Sequence, residues 1–160
     1  MRAVLYKLGE SGVTLRESAA GLRLSGRATQ PLQVRTLAYP GFPTDMQAPM
    51  MALALSLRGT SVFLETIFEN RFMHAREMVR MGASIRIEDR IALVSGGHPL
   101  GGTSVTSTDL RGGAALTLAG LKAQGETQVD GAELIDRGYE HFETQLTCLG
   151  ADIRRVHANA

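Results

Sequence analysis

Apolar and polar positions along this chain fall into a cassette that recurs. Val4 to Leu8 carry apolar side chains at helical spacing and run towards Gly12, after which Val13-Thr14-Leu15 and Leu22-Arg23-Leu24 alternate as the strands of a hairpin do. The same order returns as His74 to Met81, Gly82, Ser84-Ile85-Arg86-Ile87 and Ile91-Ala92-Leu93-Val94. It returns again as His141 to Leu149, Gly150 and Asp152-Ile153-Arg154-Arg155-Val156, the last stretch being expected as a strand. Each glycine stands where a helix would end in a left-handed residue, a conformation without steric cost for glycine. A sustained internal period means one folding unit used more than once.

The second and third copies also have a front portion. A helix is expected to open at Thr44 and again at Thr108, followed by strands near Ser61 to Thr66 and Thr127 to Asp130 and a loop into a second helix. Helices alternating with short strands give an α/β class with each unit close to βαβαββ. Proline and glycine mark the joints, at Gln30-Pro31, at Tyr39 to Pro43 and at His98 to Gly102. The expected divisions are a partial repeat over 1–30, a second repeat over 31–97 and a third over 98–160, that is, two full copies plus one truncated. The first copy opens halfway through the unit, so a preceding piece is expected to be missing. An apolar face or strand edge that this piece would cover favours self-association.

Composition narrows the classes. Hydrophobic residues make up 44% and charged residues 21% of 160, which suits a packed globular domain and argues against disorder. A net charge of +1 without any block of like charge offers nothing to nucleic acid. The longest apolar run, Met50 to Leu57, is far short of the ~20 residues that span a bilayer. One cysteine excludes an internal disulfide and fits a reducing cytoplasm.

Thr44 with Gln47 has the form of a capping box, which would put Asp45 in the first helical turn, either as a stabilising charge or as a group facing a ligand. Pro49 is expected to kink that helix or offset it from the turn. Arg71, Arg111 and Arg137 stand at helix entrances in the repeats, and three guanidinium forks converging from stacked units would suit a carboxylate or phosphate. Gly101-Gly102 and Gly112-Gly113 fit no phosphate-loop spacing and read as turn and packing glycines. The four histidines lie too far apart for a zinc site, no sequence frame unites Ser, His and Asp as a triad, and Cys148 reads as a small packed residue.

Tyr-Pro-Gly-Phe-Pro-Thr-Asp-Met-Gln (39–47), Glu-Thr-Ile-Phe-Glu-Asn-Arg-Phe-Met-His (65–74), Thr-Asp-Leu-Arg (108–111) and Ile-Asp-Arg-Gly-Tyr-Glu (135–140) closely resemble the UDP-N-acetylglucosamine 1-carboxyvinyltransferases, enolpyruvyl transferases that open peptidoglycan synthesis. The resemblance covers essentially the whole chain and matches the C-terminal part of that family. It implies an inside-out α/β barrel built of βαβαββ repeats about a pseudo-threefold axis. Asp45 would be the general base at the sugar 3′-hydroxyl, Arg71, Arg111 and Arg137 would line the phosphoenolpyruvate site, and Ile67 would touch the UDP-sugar through its backbone. The implied substrates are UDP-N-acetylglucosamine and phosphoenolpyruvate, with no metal or cofactor and a cytoplasmic location. The family's N-terminal half is absent, so this chain would supply only part of the active site. Pro49 departs from the glutamine expected there. The 3-phosphoshikimate 1-carboxyvinyltransferases share the fold and are the alternative enzyme; a non-catalytic remnant that binds a UDP-sugar or a partner protein is the alternative of another class.

Overall fold

Helix α2 (Gln47–Ala54) is buried on nearly every side, and helix α4 (Leu110–Gly120) is the same from Gly112 to Ala119. A helix apolar all round has to be enclosed by protein, and these two pack on each other at the centre. In the computed structural model, which describes residues 2–156, the remaining elements lie around that pair. Met51, Ala54, Leu57, Ala115 and Leu116 meet there, each fully buried. The glycine pair in α4 permits close packing on another side, at the start of that helix. A Cβ on Gly112 would come within 2.6 Å of the Thr108 hydroxyl, and one on Gly113 would collide with Ser107 and Ile135.

The middle of the chain is a complete βαβαββ unit. Strands β3 (Gln33–Arg35) and β4 (Gly59–Leu64) run parallel on either side of α2 in sequence; helix α3 (Met73–Arg80) then leads to β5 (Ser84–Glu88) and β6 (Ile91–Gly96). The sheet order is β3-β4-β6-β5, with β6 antiparallel to both of its neighbours. Phe63, Ala92 and Val94 turn one face of this sheet into the core. Before this unit come α1 (Arg2–Glu10) and an isolated hairpin, β1 (Thr14–Ser18) and β2 (Gly21–Ser25). After it come β7 (Ser104–Thr106), α4, β8 (Gln128–Asp130), α5 (Ala132–Asp136) and α6 (Phe142–Cys148), with β7 and β8 parallel.

The units superpose residue on residue in their bonding. Leu15 opposite Leu24 in the first hairpin corresponds to Ile85 opposite Val94 in the second. Val62 donates to Leu32 and Thr36 to Leu64; Gln128 likewise donates to Thr103 and Ser107 to Asp130.

Four expectations need correction. Residues 152–156 form no strand, so the third copy lacks its hairpin and, among the described residues, only one copy is complete rather than two. The middle unit shows what such a strand depends on, since β5 is held to the sheet only through β6, and among the described residues no strand besides β7 pairs with β8. The capping box at Thr44 does not form either. Thr44–Met46 is a 3₁₀ turn whose threonine hydroxyl is engaged elsewhere, and the α-helix proper begins at Gln47, which is buried. Pro49 falls in the first turn of α2, where its missing N–H is not needed, so α2 runs through it without the kink, while the expected offset of the helix from the Thr44-Asp45 turn is present. Cys148, expected to be packed, is exposed.

Candidate functional site

The starting point is Glu65, at the end of β4 and 1% exposed. Its carboxylate accepts the hydroxyls of Thr36 (2.8 Å) and Thr44 (2.9 Å) and the backbone N–H groups of Ile67 (2.8 Å) and Phe68 (3.2 Å). Burial would push this carboxyl upward; the four donors outweigh it and hold the pKa below the ordinary 4.5. The buried anion thus ties together β3, the 3₁₀ turn and the 65–71 loop. Asn70 takes a left-handed conformation (φ 54°) at the end of that loop, one that asparagine tolerates, and Arg71 follows it.

With the loop and the turn fixed to one carboxylate, Asp45 faces Arg71. Asp45 Oδ1 accepts from Arg71 Nη2 at 3.2 Å, and Oδ2 accepts from Arg111 Nη2 at 3.0 Å. Arg111 comes from the first turn of α4, whose N-cap is Asp109. The Asp109 carboxylate accepts from the backbone N–H of Arg111 and of Gly112, both at 2.9 Å. Burial would raise the Asp109 pKa, but these two N–H groups and the charge of Arg71 lower it below its usual value. Each guanidinium also lies near an aromatic ring, Arg71 at 5.2 Å from the Phe68 centroid and Arg111 at 5.2 Å from that of Tyr139. Burial works against the Arg111 charge, yet Tyr139 and Asp45 together raise its pKa.

Beneath these charges lies His74, 1% exposed, whose Nε2 has no hydrogen-bond partner. Desolvation is the dominant influence and lowers its pKa from 6.5 to about 4; the Asp109 charge opposes this and that of Arg71 adds to it. The imidazole is therefore neutral under ordinary conditions.

Of the five residues singled out in the sequence, the structure brings three together. Asp45, Arg71 and Arg111 form one cluster. Arg137 is exposed at the exit of α5 rather than at a helix entrance, and it makes no ion pair with the cluster. Ile67 is on the same loop as Arg71, its side chain 41% exposed and its N–H already given to Glu65, which leaves its carbonyl for a ligand. Sequence reasoning missed Glu65, Thr36 and His74, whose roles rest on partners distant in the chain.

A carboxylate shared by two guanidinium forks is the geometry of an anion site that currently holds a protein anion. The Asp45 side chain is 54% exposed and the two arginines about half as much, so the cluster opens to solvent. A phosphate or carboxylate can exchange for Asp45 on the arginines, and Asp45, once released, is a carboxylate able to take a proton. Among the described residues no group of three His, Cys, Asp or Glu side chains could hold a metal ion. None of the described helices is long and apolar enough to cross a membrane.

Comparison with known proteins gives a consistent answer. The EPSP synthase (3-phosphoshikimate 1-carboxyvinyltransferase) family model matches residues 1–146. A UDP-N-acetylglucosamine 1-carboxyvinyltransferase of Koribacter versatilis is 54% identical over 155 residues, covering 96% of this chain and 36% of that protein. Another, from Desulfofundulus thermocisternus, is 50% identical over 158 residues, covering 98% of this chain and 65% of that one. Among solved structures, the enolpyruvyl transferase NikO from Streptomyces tendae aligns with a TM-score of 0.86 at 28% identity, over 96% of this chain and 36% of that one. An EPSP synthase from Acinetobacter baumannii, at 19% identity and a TM-score of 0.73, shares the fold. The chain spans about a third of the length of the first curated relatives that it matches.

Proposed function

The chain belongs to the enolpyruvyl transferases, and within them to the UDP-N-acetylglucosamine 1-carboxyvinyltransferase family; from that membership we propose that it is the C-terminal segment of such an enzyme and supplies one wall of the active site. The observation that carries the reading is Asp45 suspended between Arg71 and Arg111. Transfer of an enolpyruvyl group needs two things from a protein wall. It must hold phosphoenolpyruvate, a small molecule bearing both a phosphate and a carboxylate, and it must take a proton from the sugar hydroxyl. Guanidinium forks do the first and a carboxylate does the second.

In this reading the ligand's anionic groups replace Asp45 on Arg71 and Arg111, with Arg137 reaching in when the site is complete. The freed carboxylate faces the 3′-hydroxyl of UDP-N-acetylglucosamine, and Ile67 meets the nucleotide sugar through its carbonyl. Asp45 accepts the hydroxyl proton as that oxygen bonds to the enol carbon, and the methylene carbon takes up a proton. The tetrahedral adduct then loses phosphate together with a proton from the methyl carbon, which returns to solvent and leaves the enol double bond restored; the same arginines stabilise the phosphate's charge. The substrates are soluble metabolites, so the reading goes with a cytoplasmic enzyme that uses no metal or cofactor.

One wall alone does not exclude water or orient two substrates, so this chain alone is inactive and gains activity from an N-terminal half. The test is to mix the purified chain with an N-terminal half from a close relative and measure phosphate release that requires both substrates. Release that needs both halves supports the proposal. Activity of the chain by itself would sink the half-site reading. Silence from a pair that demonstrably associates favours the binding-remnant alternative. Replacing UDP-N-acetylglucosamine with shikimate 3-phosphate in the same assay separates the two enzyme classes.

A further inference from the structure

Strands β4 and β8 pair with β3 and β7 in one register, so the residue that follows each is equivalent: Glu65 in the second unit, Gly131 in the third. Thr36 and Ser107 match in the same way, each donating its N–H to the last strand residue, Leu64 or Asp130. The third unit has no place for the carboxylate. Gly131 is left-handed (φ 78°), and a Cβ there would come within 3.2 Å of Ser107.

What touches Glu65 differs between the two units. Thr44 gives its hydroxyl to this buried carboxylate at 2.9 Å, a charge-assisted bond, and α2 begins only at Gln47. Thr108, without such an acceptor, lies 3.3 Å from its own aspartate, and α4 begins at Leu110, the counterpart of Met46. Asp109 is accordingly extended (φ −165°, ψ 175°) and caps its helix, whereas Asp45 is wound into the 3₁₀ turn. The loops part company as well. Glu65 takes the N–H groups of Ile67 and Phe68, while the residues after Gly131 enter α5 directly. Arg71 ends its loop at Asp45, and Arg137 follows α5 and stays outside the cluster.

We infer that Glu65 is a positioning residue for the proton transfer: its bond from Thr44 keeps the turn wound, so Asp45 stays off the amides of α2 and turned towards the arginines. This rests on the proposed role of Asp45 as the base. Without the tie, Asp45 takes the extended conformation of Asp109 and accepts from the N–H groups of Gln47 and Ala48, the counterparts of Arg111 and Gly112. The carboxylate is then fixed to backbone, away from the substrate hydroxyl. Arg71 and Arg111 at the same time lose the anion that they share. Cutting one bond thus impairs proton transfer and strengthens anion binding, a pairing that general loosening of the fold does not produce.

Calorimetric titration of the chain with phosphoenolpyruvate at low salt tests the binding side. Thr44→Val removes the hydroxyl and leaves Glu65 its other three donors; it binds about fivefold more tightly than the wild type, the scale of freeing two partly exposed ion pairs. Thr44→Ser restores the wild-type value. Glu65→Gln groups with Thr44→Ser, because its amide can donate to the Thr44 oxygen while its carbonyl keeps the other three donors. In the reconstituted enzyme, Thr44→Val lowers kcat by about 10²-fold and lowers the Michaelis constant for phosphoenolpyruvate as well. Melting curves verify that each variant folds. Asp45→Ala is the control for the site itself, since it removes the internal anion however that anion is placed. If Asp45→Ala gains no affinity, the exchange of Asp45 for a ligand is wrong. If Asp45→Ala gains affinity and a folded Thr44→Val does not, that exchange stands and the role given to Glu65 falls. An unchanged kcat in Thr44→Val, or a Glu65→Gln that behaves as Thr44→Val does, overturns it too.

Discussion

Thr44-Asp45 and Thr108-Asp109 are the same dipeptide at the start of the two central helices, and the fold uses them differently. Asp109 caps its own helix, its carboxylate bound to two backbone N–H groups. Asp45 sits in a 3₁₀ turn ahead of its helix and accepts only from two arginine side chains. The threonines diverge as well: Thr44 donates to buried Glu65, while Thr108 stays beside its own aspartate. A carboxylate satisfied by backbone cannot leave without uncapping a helix. One held by long side chains can be exchanged for a ligand, because the arginines can move with it. The difference between a structural and a functional acid therefore lies in the donors, not in the sequence around the acid.

The most severe way to test this contrast is Asp45→Asn. In the reconstituted enzyme it is expected to reduce turnover by about 10²–10⁴-fold, the range of a lost general base. The melting temperature stays within about 2 °C, since partly exposed ion pairs contribute little. Equal loss of stability in Asp45→Asn and Asp109→Asn would erase the distinction.

A second test uses the histidine beneath both regions. Because the folded pKa of His74 is about 4 and the unfolded one near 6.5, the folded state disfavours protonation. Stability from this group is complete above about pH 6.5 and falls as the pH drops towards 4, by on the order of 3 kcal/mol in all. Denaturant melts between pH 7 and 4 should show this slope, and His74→Phe should flatten it. Glu65 and Asp109 have depressed pKa values, so their contributions fade only at lower pH, below the ordinary carboxylate range. A wild-type profile flat down to pH 4 would count against the buried neutral imidazole.

The smallest effect is Asp109→Ala, which removes a cap and should lower unfolding free energy by about 1 kcal/mol. Its influence on activity runs only through the placement of Arg111, so the Michaelis constant for phosphoenolpyruvate should rise more than kcat falls. A collapse of kcat with an unchanged Michaelis constant would move Asp109 to the functional side of the comparison.

What could be read in the sequence follows from how local each feature is. Helices α1 and α3 and both hairpins show a periodic pattern within ten or so residues, and the left-handed Gly12, Gly82 and Gly150 mark the helix ends. Strands β3 and β7 were hidden because each has three residues with one buried side chain, Val34 or Val105, close to proline or glycine. The capping box at Thr44 failed because a better acceptor, Glu65, lies 21 residues away, and spacing cannot display a partner that distance brings near. The same holds for Thr36, 29 residues from Glu65. Arg71 and Arg111 were legible as candidates by their places in the repeat, but their meeting on Asp45 depends on how two units stack. Arg137 had the same signal and does not join them.

The mutual burial of α2 and α4 bears on the order in which the molecule opens. Neither helix has a solvent face; α2 is mostly alanine and methionine and α4 mostly alanine, glycine and leucine, so neither has an amphipathic surface on which to persist alone. Their amide hydrogens can reach solvent only when the whole centre separates, and they should exchange together and last. Helix α6, with one buried side chain, can fray on its own. The arginine from α4 and the aspartate just before α2 are thus anchored in the slowest-opening part of the chain, while the face they present remains open to ligand.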